Sequence, residues 1–273
     1  MPERSRLNAD RGNHMKFIHF TDPHLMPAGV PHYGMDTRAR FDACLDDIAR
    51  HHRDAAFCVI TGDLTENGDT ETYRWLKERL TGFPLKTHLL LGNCDNRQNF
   101  LSVFGGPSAD SFVQSAIRQD GHLLLFLDTL GEGQSAEGRF DVRRRDWIRR
   151  QLADRGKDTV LVFMHHPPFD IGHRNDAIKL ADGDEFLELA AALPARHIFF
   201  GHTHRPVSGV WRGVGFTGLP GLSFQIPLVT GSVGTDASRE PPLYGVVAVN
   251  PSGVVVNMDA FLDRAPLGNF SAS

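Results

Sequence analysis

Through the first half of the chain, short apolar or β-branched runs alternate with stretches whose apolar residues recur at about 3.6-residue spacing. The runs Lys16 to Phe20, Ala55 to Ile60, Lys86 to Leu91, Thr159 to Met164 and His197 to Phe200 predict strands. Helical spacing covers Thr37 to His52, where Phe41, Leu45, Ile48 and Ala49 share a face, and Thr70 to Leu80, where Tyr73, Leu76 and Leu80 do. Further helices are predicted over Asn96 to Phe104, over Asp141 to Asp154 with Asp141 as N-cap, and over Asp184 to Leu193. Asp120-Gly121, between Phe112 to Ile117 and His122 to Leu127, signals a hairpin. Beyond Gly201 the texture changes to short β runs broken by Gly and Pro: Val207 to Trp211, Leu222 to Ile226, Tyr244 to Val249 and Val254 to Phe261. The last two flank Asn250-Pro-Ser-Gly253 and are expected to pair.

Strand–helix alternation implies βαβ units with parallel strands. No internal repeat or low-complexity linker divides the chain. The simplest α/β architecture is therefore one domain over residues 15–273, with two mixed sheets packed together, helices outside, and a β-rich C-terminal part at about 206–262. Residues 1–14 are polar and charged, lack the apolar stretch of a secretory signal, and are expected to be a disordered extension.

Composition narrows the partners. At 273 residues a large core can be buried without covalent staples. A net charge of -4 gives no general attraction to nucleic acid polymers or anionic membranes. No apolar run approaches the ~20 residues needed to span a bilayer. Three cysteines, Cys44, Cys58 and Cys94, are too few for a disulfide framework and suit a reducing cytoplasm.

Five polar motifs carry the candidate chemistry: Asp22-Pro-His24, Gly62-Asp63, Gly92-Asn93-Cys94-Asp95, His165-His166 and Gly201-His202-Thr203-His204. Each follows an apolar run and so belongs at a strand end, a rigid support from which ligands can converge. Asp22 and His24, like His202 and His204, stand two residues apart, which in an extended chain points both side chains the same way. Asp63 carries two donor oxygens, enough to bridge two cations, and Asn93 is a neutral oxygen donor. Of the two adjacent histidines, His165 is the expected ligand and His166 a packing or supporting residue. Imidazole, carboxylate and one amide, without thiolate, suit Mn, Fe, Zn or Co better than a Cys-rich structural zinc site.

Together the motifs resemble the calcineurin-like metallophosphoesterases, whose pattern is D-x-H, G-D, G-N-H-[DE], H and G-H-x-H. Within that superfamily "HFTDPHL", "ITGDLTENG" and "HHPP" are similar to the class III cyclic-nucleotide phosphodiesterase and glycerophosphodiesterase branch. The resemblance implies a four-layer αββα sandwich and a pair of metal ions. By position, Asp22, His24, Asp63 and His204 would hold one metal, and Asp63, Asn93, His165 and His202 the other. It implies hydrolysis of small phosphodiesters, cyclic nucleotides or glycerophosphodiesters, by a hydroxide held between the metals. A phosphomonoesterase or nucleotidase of the same fold and a weakly active metal-bound scaffold are the alternatives. Asp63, Asn93, Cys94 and Asp95 are the expected catalytic residues, Asp95 acting by orienting the site, and Arg97 and His173 the expected substrate contacts. Loop 26–35 and segment 170–182 are expected to line the pocket, and the tail after Pro206 to shape the pocket mouth and any homo-oligomer. The sequence departs from the pattern at Cys94, where the family has His. A thiol donates weakly and cannot offer a phosphate the positive charge of an imidazolium.

Overall fold

The computed structural model describes residues 14–106, 111–133, 135–191, 195–228 and 237–263. Strands β1 (Met15–Phe20), β2 (Cys58–Thr61) and β3 (Thr87–Leu90) alternate with helices α1 (Thr37–His51), α2 (Thr70–Thr81) and α3 (Arg97–Phe104). The hairpin β4 (Ser115–Gln119) and β5 (His122–Phe126) follows, then α4 (Val142–Ala153), β6 (Thr159–Phe163), α5 (Gly183–Ala191) and β7 (Ala195–Phe200). Two hairpins close the described chain: β8 (Val207–Trp211) with β9 (Val214–Gly218), and β10 (Leu243–Asn250) with β11 (Gly253–Ala260).

The strands form two mixed sheets, ordered β11-β10-β1-β2-β3 and β4-β5-β6-β7-β9-β8. The inner neighbours β1-β2-β3 and β5-β6-β7-β9 run parallel. A shared core of Phe17, Phe57, Val59 and Leu90 from the first sheet meets Leu124, Phe126, Leu161, Phe163 and Phe199 from the second. The rings of Phe126, Phe163 and Phe199 stack in a row, with centroids 4.9 and 5.0 Å apart. The outer face of the first sheet packs on α1, α2 and α3, and that of the second on α4 and α5, giving the four layers of an αββα sandwich.

Side-chain caps set where the helices begin. Asp36, Asp69, Asn96 and Asp141 each accept the backbone N–H three residues on, satisfying a donor the helix cannot use, at about 1 kcal/mol per cap.

The structure corrects two sequence expectations and adds a strand the pattern does not predict. Leu222 to Ile226 is not a strand: its N–H groups go to Thr21, Asp22 and His204 carbonyls, and only Gln225 makes an isolated bridge, to Ser238. Val214–Gly218 is a strand although two glycines weaken its pattern, because β7 on one side and β8 on the other supply the ladder. The strand expected over Phe112 to Ile117 begins at Ser115, since the Val113 N–H is taken by the Asp128 carboxylate at 2.8 Å. The expected extension over residues 1–14 lies almost wholly outside the described residues, as do 192–194 at the expected end of α5.

Two histidines outside the motifs give a prediction. Burial lowers the pKa of both His88 and His197 to about 4, so folding holds them neutral. The unfolded chain then binds more protons between about pH 6.5 and 4, and stability present above pH 6.5 is lost as pH falls through that window. His197→Gln should flatten the fall in melting temperature between pH 7 and 5, on the order of 1–3 kcal/mol for a full shift of this size. Superimposable pH profiles of wild type and variant would refute the attribution.

Candidate metal centre

All five motifs sit at strand ends along one edge of the two sheets. Asp22 and His24 follow β1, Asp63 follows β2, Asn93 follows β3, His165 follows β6, and His202 and His204 follow β7. Five of these seven residues, Asp22, His24, Asp63, His202 and His204, have left-handed backbones, with φ between 41° and 67°. Only a few per cent of non-glycine residues do so, and such outliers cluster where function fixes the geometry. The two i, i+2 pairs therefore converge through sharp turns, not through the extended geometry expected from sequence.

The donor atoms of Asp22, His24, Asp63 and His204 lie within 4.8 Å of one another, all on buried residues. Asp63 joins them to a second group, its Oδ2 standing 3.4 Å from His24 Nε2 and 3.5 Å from His165 Nε2. Its Oδ1 accepts the Cys94 N–H at 2.8 Å. Asn93 Oδ1 lies 3.3 Å from His165 Nε2, while its Nδ2 donates to Cys94 Sγ at 3.4 Å. Asp22 ties the sheets together: it accepts the His202 N–H at 3.1 Å and faces His204 Nε2 at 3.3 Å.

The rear nitrogens of three rings are held. Glu66 Oε2 is 2.6 Å from His24 Nδ1, and the Thr61 and Phe224 carbonyls each stand 2.7 Å from the Nδ1 of His165 and His204. With Nδ1 donating rearward, each Nε2 presents its lone pair to the cluster, the arrangement found around metal-bound histidines. His202 Nε2 is buried with no hydrogen-bond partner, an orphan that a cation would satisfy.

Electrostatics agree. Burial opposes charge on His165, yet the Asp63 and Asp22 carboxylates outweigh it and raise its pKa to about 9. Burial likewise opposes the Asp63 anion, but the imidazoles of His165 and His24 hold its carboxyl well below the usual range. Burial and the charge of His165 lower His202 to about 3. Packed acids and imidazoles of this kind, sharing protons when no cation is present, are the donor set a divalent metal replaces protons on.

The other expected residues fall outside this ring. Asp95 lies beneath it, accepting the N–H groups of Gly92, Leu64 and Thr65 and the Tyr73 hydroxyl, and so clamps the loops that carry Asp63 and Asn93. Burial and the Asp63 charge raise its pKa to about 6. Arg97 is engaged bidentately by buried Asp128, at 2.8 and 2.9 Å, and by the Leu130 carbonyl. His173 caps the 3₁₀ turn Arg174–Ile178 and does not line the cleft, whereas Arg174, Asn175 and Ile178 do. His166 binds Thr129 Oγ1 at 2.8 Å through Nδ1, and its ring packs 4.6 Å from His202. The donors of His165, His166 and His202 also lie within 4.8 Å of one another.

A cleft of about 210 Å³ opens over the cluster, lined among others by Cys94 and by His32, Tyr33 and Phe224. Burial, then the nearby Asp63 and Glu66 charges, push the Cys94 thiol pKa far up, so the thiol stays neutral. A larger groove of about 540 Å³ over β8 and β9 shares no residue with the cluster and carries no carboxylate. The sequence motifs do not include Glu66, Thr61 or the Phe224 carbonyl; for Glu66 the available signal is an acid in the same loop as Asp63, three residues on.

Residues 15–206 match the calcineurin-like phosphoesterase family, and the chain belongs to it. It is 37% identical to a probable cyclic nucleotide phosphodiesterase of Rhodopseudomonas palustris over 93% of this chain and 95% of that one. It is 29% identical to the glycerophosphodiester phosphodiesterase GpdQ of Enterobacter lignolyticus, covering 78% of this chain and 79% of the other. In fold it is similar to a dimetal phosphatase from Danio rerio, with a TM-score of 0.69 at 13% identity over 91% of this chain and 97% of that one. Among the described residues no helix is long and apolar enough to cross a membrane.

Proposed function

We propose that the protein is a dimetal phosphodiesterase acting on small phosphodiesters. The Asp63 carboxylate carries this reading, because one buried anion faces both His24 and His165 and so joins two donor groups. Asp22, His24, Asp63 and His204 would hold one cation, and Asp63, Asn93, His165 and His202 the second. When bound, such a pair neutralises phosphate charge and makes water a nucleophile near neutral pH. Mn, Fe, Zn or Co fits this mixture of imidazole, carboxylate and amide.

The chain's own contribution is preorganisation. Glu66 and two carbonyls fix three imidazoles, Asp95 fixes the loops of Asp63 and Asn93, and burial keeps bulk water from the carboxylates. The relatives named as cyclic nucleotide and glycerophosphodiester phosphodiesterases support a diester substrate, and the size of the cleft suits a small one. Neutral Cys94 on the wall adds no cation for a phosphate oxygen or a departing alkoxide, so good leaving groups should be favoured.

The test is a substrate panel on protein of measured metal content: 3′,5′- and 2′,3′-cyclic AMP, glycerophosphoethanolamine, bis(p-nitrophenyl) phosphate and p-nitrophenyl phosphate. Two metal equivalents per chain are expected, with kcat/KM for the aryl diester above that for the aryl monoester by at least about tenfold. Preference for the monoester would instead indicate a phosphomonoesterase, and metal uptake without turnover a scaffold.

A further inference from the structure

One side of the cleft is aromatic, and its outermost member has an uncommon backbone. His32 and Met35 exchange both backbone hydrogen bonds at 2.9 Å, closing a two-residue turn around Tyr33 and Gly34. Both central residues have positive φ, 47° at Tyr33 and 73° at Gly34, the type I′ pattern that favours Asn or Gly at each. A bulky aromatic in the first position is an outlier. The conformation does not serve to bury the ring, which is 58% exposed.

The ring is placed nonetheless. It stacks on His32 at 4.5 Å with 28° between planes, and meets Phe224 at 4.9 Å and 61°. Phe224 in turn lies 4.2 Å from the ring of His204. Tyr33 therefore stands one aromatic ring away from a residue of the metal centre, on the rim of the same cleft. A rigid, half-open aromatic beside a site for phosphate is what a flat substituent on that phosphate would stack against, and such stacking tolerates any planar ring.

The geometry points to Tyr33 as a specificity-determining residue: it is a stacking platform that favours phosphodiesters bearing a planar ring, a nucleobase or an aryl group, over those bearing glycerol. This rests on the diesterase reading above. A platform acts through substrate binding, so its loss falls on KM while kcat stays near the wild-type value.

The experiment compares wild type, Tyr33→Ala, Tyr33→Phe and Tyr33→Gly, each metal-loaded, on 3′,5′-cyclic AMP and glycerophosphoethanolamine. Tyr33→Ala should lower the ratio of the two kcat/KM values about tenfold, the size of one lost base stack. Tyr33→Phe should restore the ratio. Tyr33→Gly keeps the turn, because glycine adopts positive φ freely, and should repeat the alanine result without rearranging the loop. Calorimetric binding of a slowly hydrolysed phosphorothioate analogue of cyclic AMP should weaken in parallel. A ratio unchanged in both ring-deleting variants, with both diesters turned over by wild type, overturns the platform alone. A wild type that hydrolyses neither diester overturns the diesterase reading and the platform with it.

Discussion

Asp63→Ala is expected to abolish turnover, by at least about 10³-fold or ~4 kcal/mol of transition-state stabilisation, and to lower metal content below two equivalents per chain. Among the described residues no other side chain faces His24 and His165 together at 3.4 and 3.5 Å while also fixing the Cys94 N–H. Without this anion, burial dominates at His165, whose pKa should drop from about 9. Asp63→Asn keeps the shape and loses the charge, and should fall between the two. Circular dichroism checks that the fold persists, and elemental analysis counts the metal. A purified Asp63→Ala protein with full activity would remove the basis of the proposed function.

Gly92→Ala should be damaging out of proportion to the single methyl it adds. A Cβ there would lie 2.5 Å from the Asp63 backbone nitrogen and 2.6 Å from His165 Cε1, with the Asp63 carboxylate closer still. None of these can swing away: one is backbone, one belongs to a buried ring held by the Thr61 carbonyl, and the carboxylate is held by the Cys94 N–H. Overpacking of this kind costs about 1–3 kcal/mol. That corresponds to a melting temperature lower by roughly 3–10 °C for a chain of this size. Because the displaced atoms are proposed ligands, activity should fall further than stability, by about 100-fold. Wild-type melting with wild-type kcat/KM would show that the loop yields more easily than the contacts imply.

The elements that carry the site were legible because each motif interrupts an apolar run with Gly or Pro, and such punctuation survives without tertiary context. Less was legible where tertiary hydrogen bonds override local pattern. Leu222 to Ile226 alternates like a strand, yet its backbone serves Thr21, Asp22 and His204, residues about 20 to 200 positions away in sequence. The pairing of Asp22 with His24 was read from extended geometry, whereas the hydrogen bonds from the Asp22 and His24 N–H groups to the Gly62 and Asp63 carbonyls bend both residues into the left-handed region. Arg97, at the start of a helix beside the Asn93 loop, suggested a phosphate contact. Its actual partner, Asp128, comes from a loop 31 residues later and could not be anticipated from spacing. His32 and Tyr33 lie in a loop expected to line the pocket, but the turn that lifts the Tyr33 ring to the rim depends on a backbone conformation that the residue types do not announce.

The order of the first sheet bears on how the molecule is made. β1 is hydrogen-bonded on one side by β2 and on the other by β10. Its second partner is synthesised more than 200 residues later, at Leu243–Asn250. Until then a strand of sequence MKFIHF presents an open edge, the kind of surface that recruits other chains. Asp22 and His24, at the end of that strand, likewise wait for His202 and His204. The cluster is thus complete only once His204, 180 residues after His24, has emerged, and the sheet is sealed only later still, by β10.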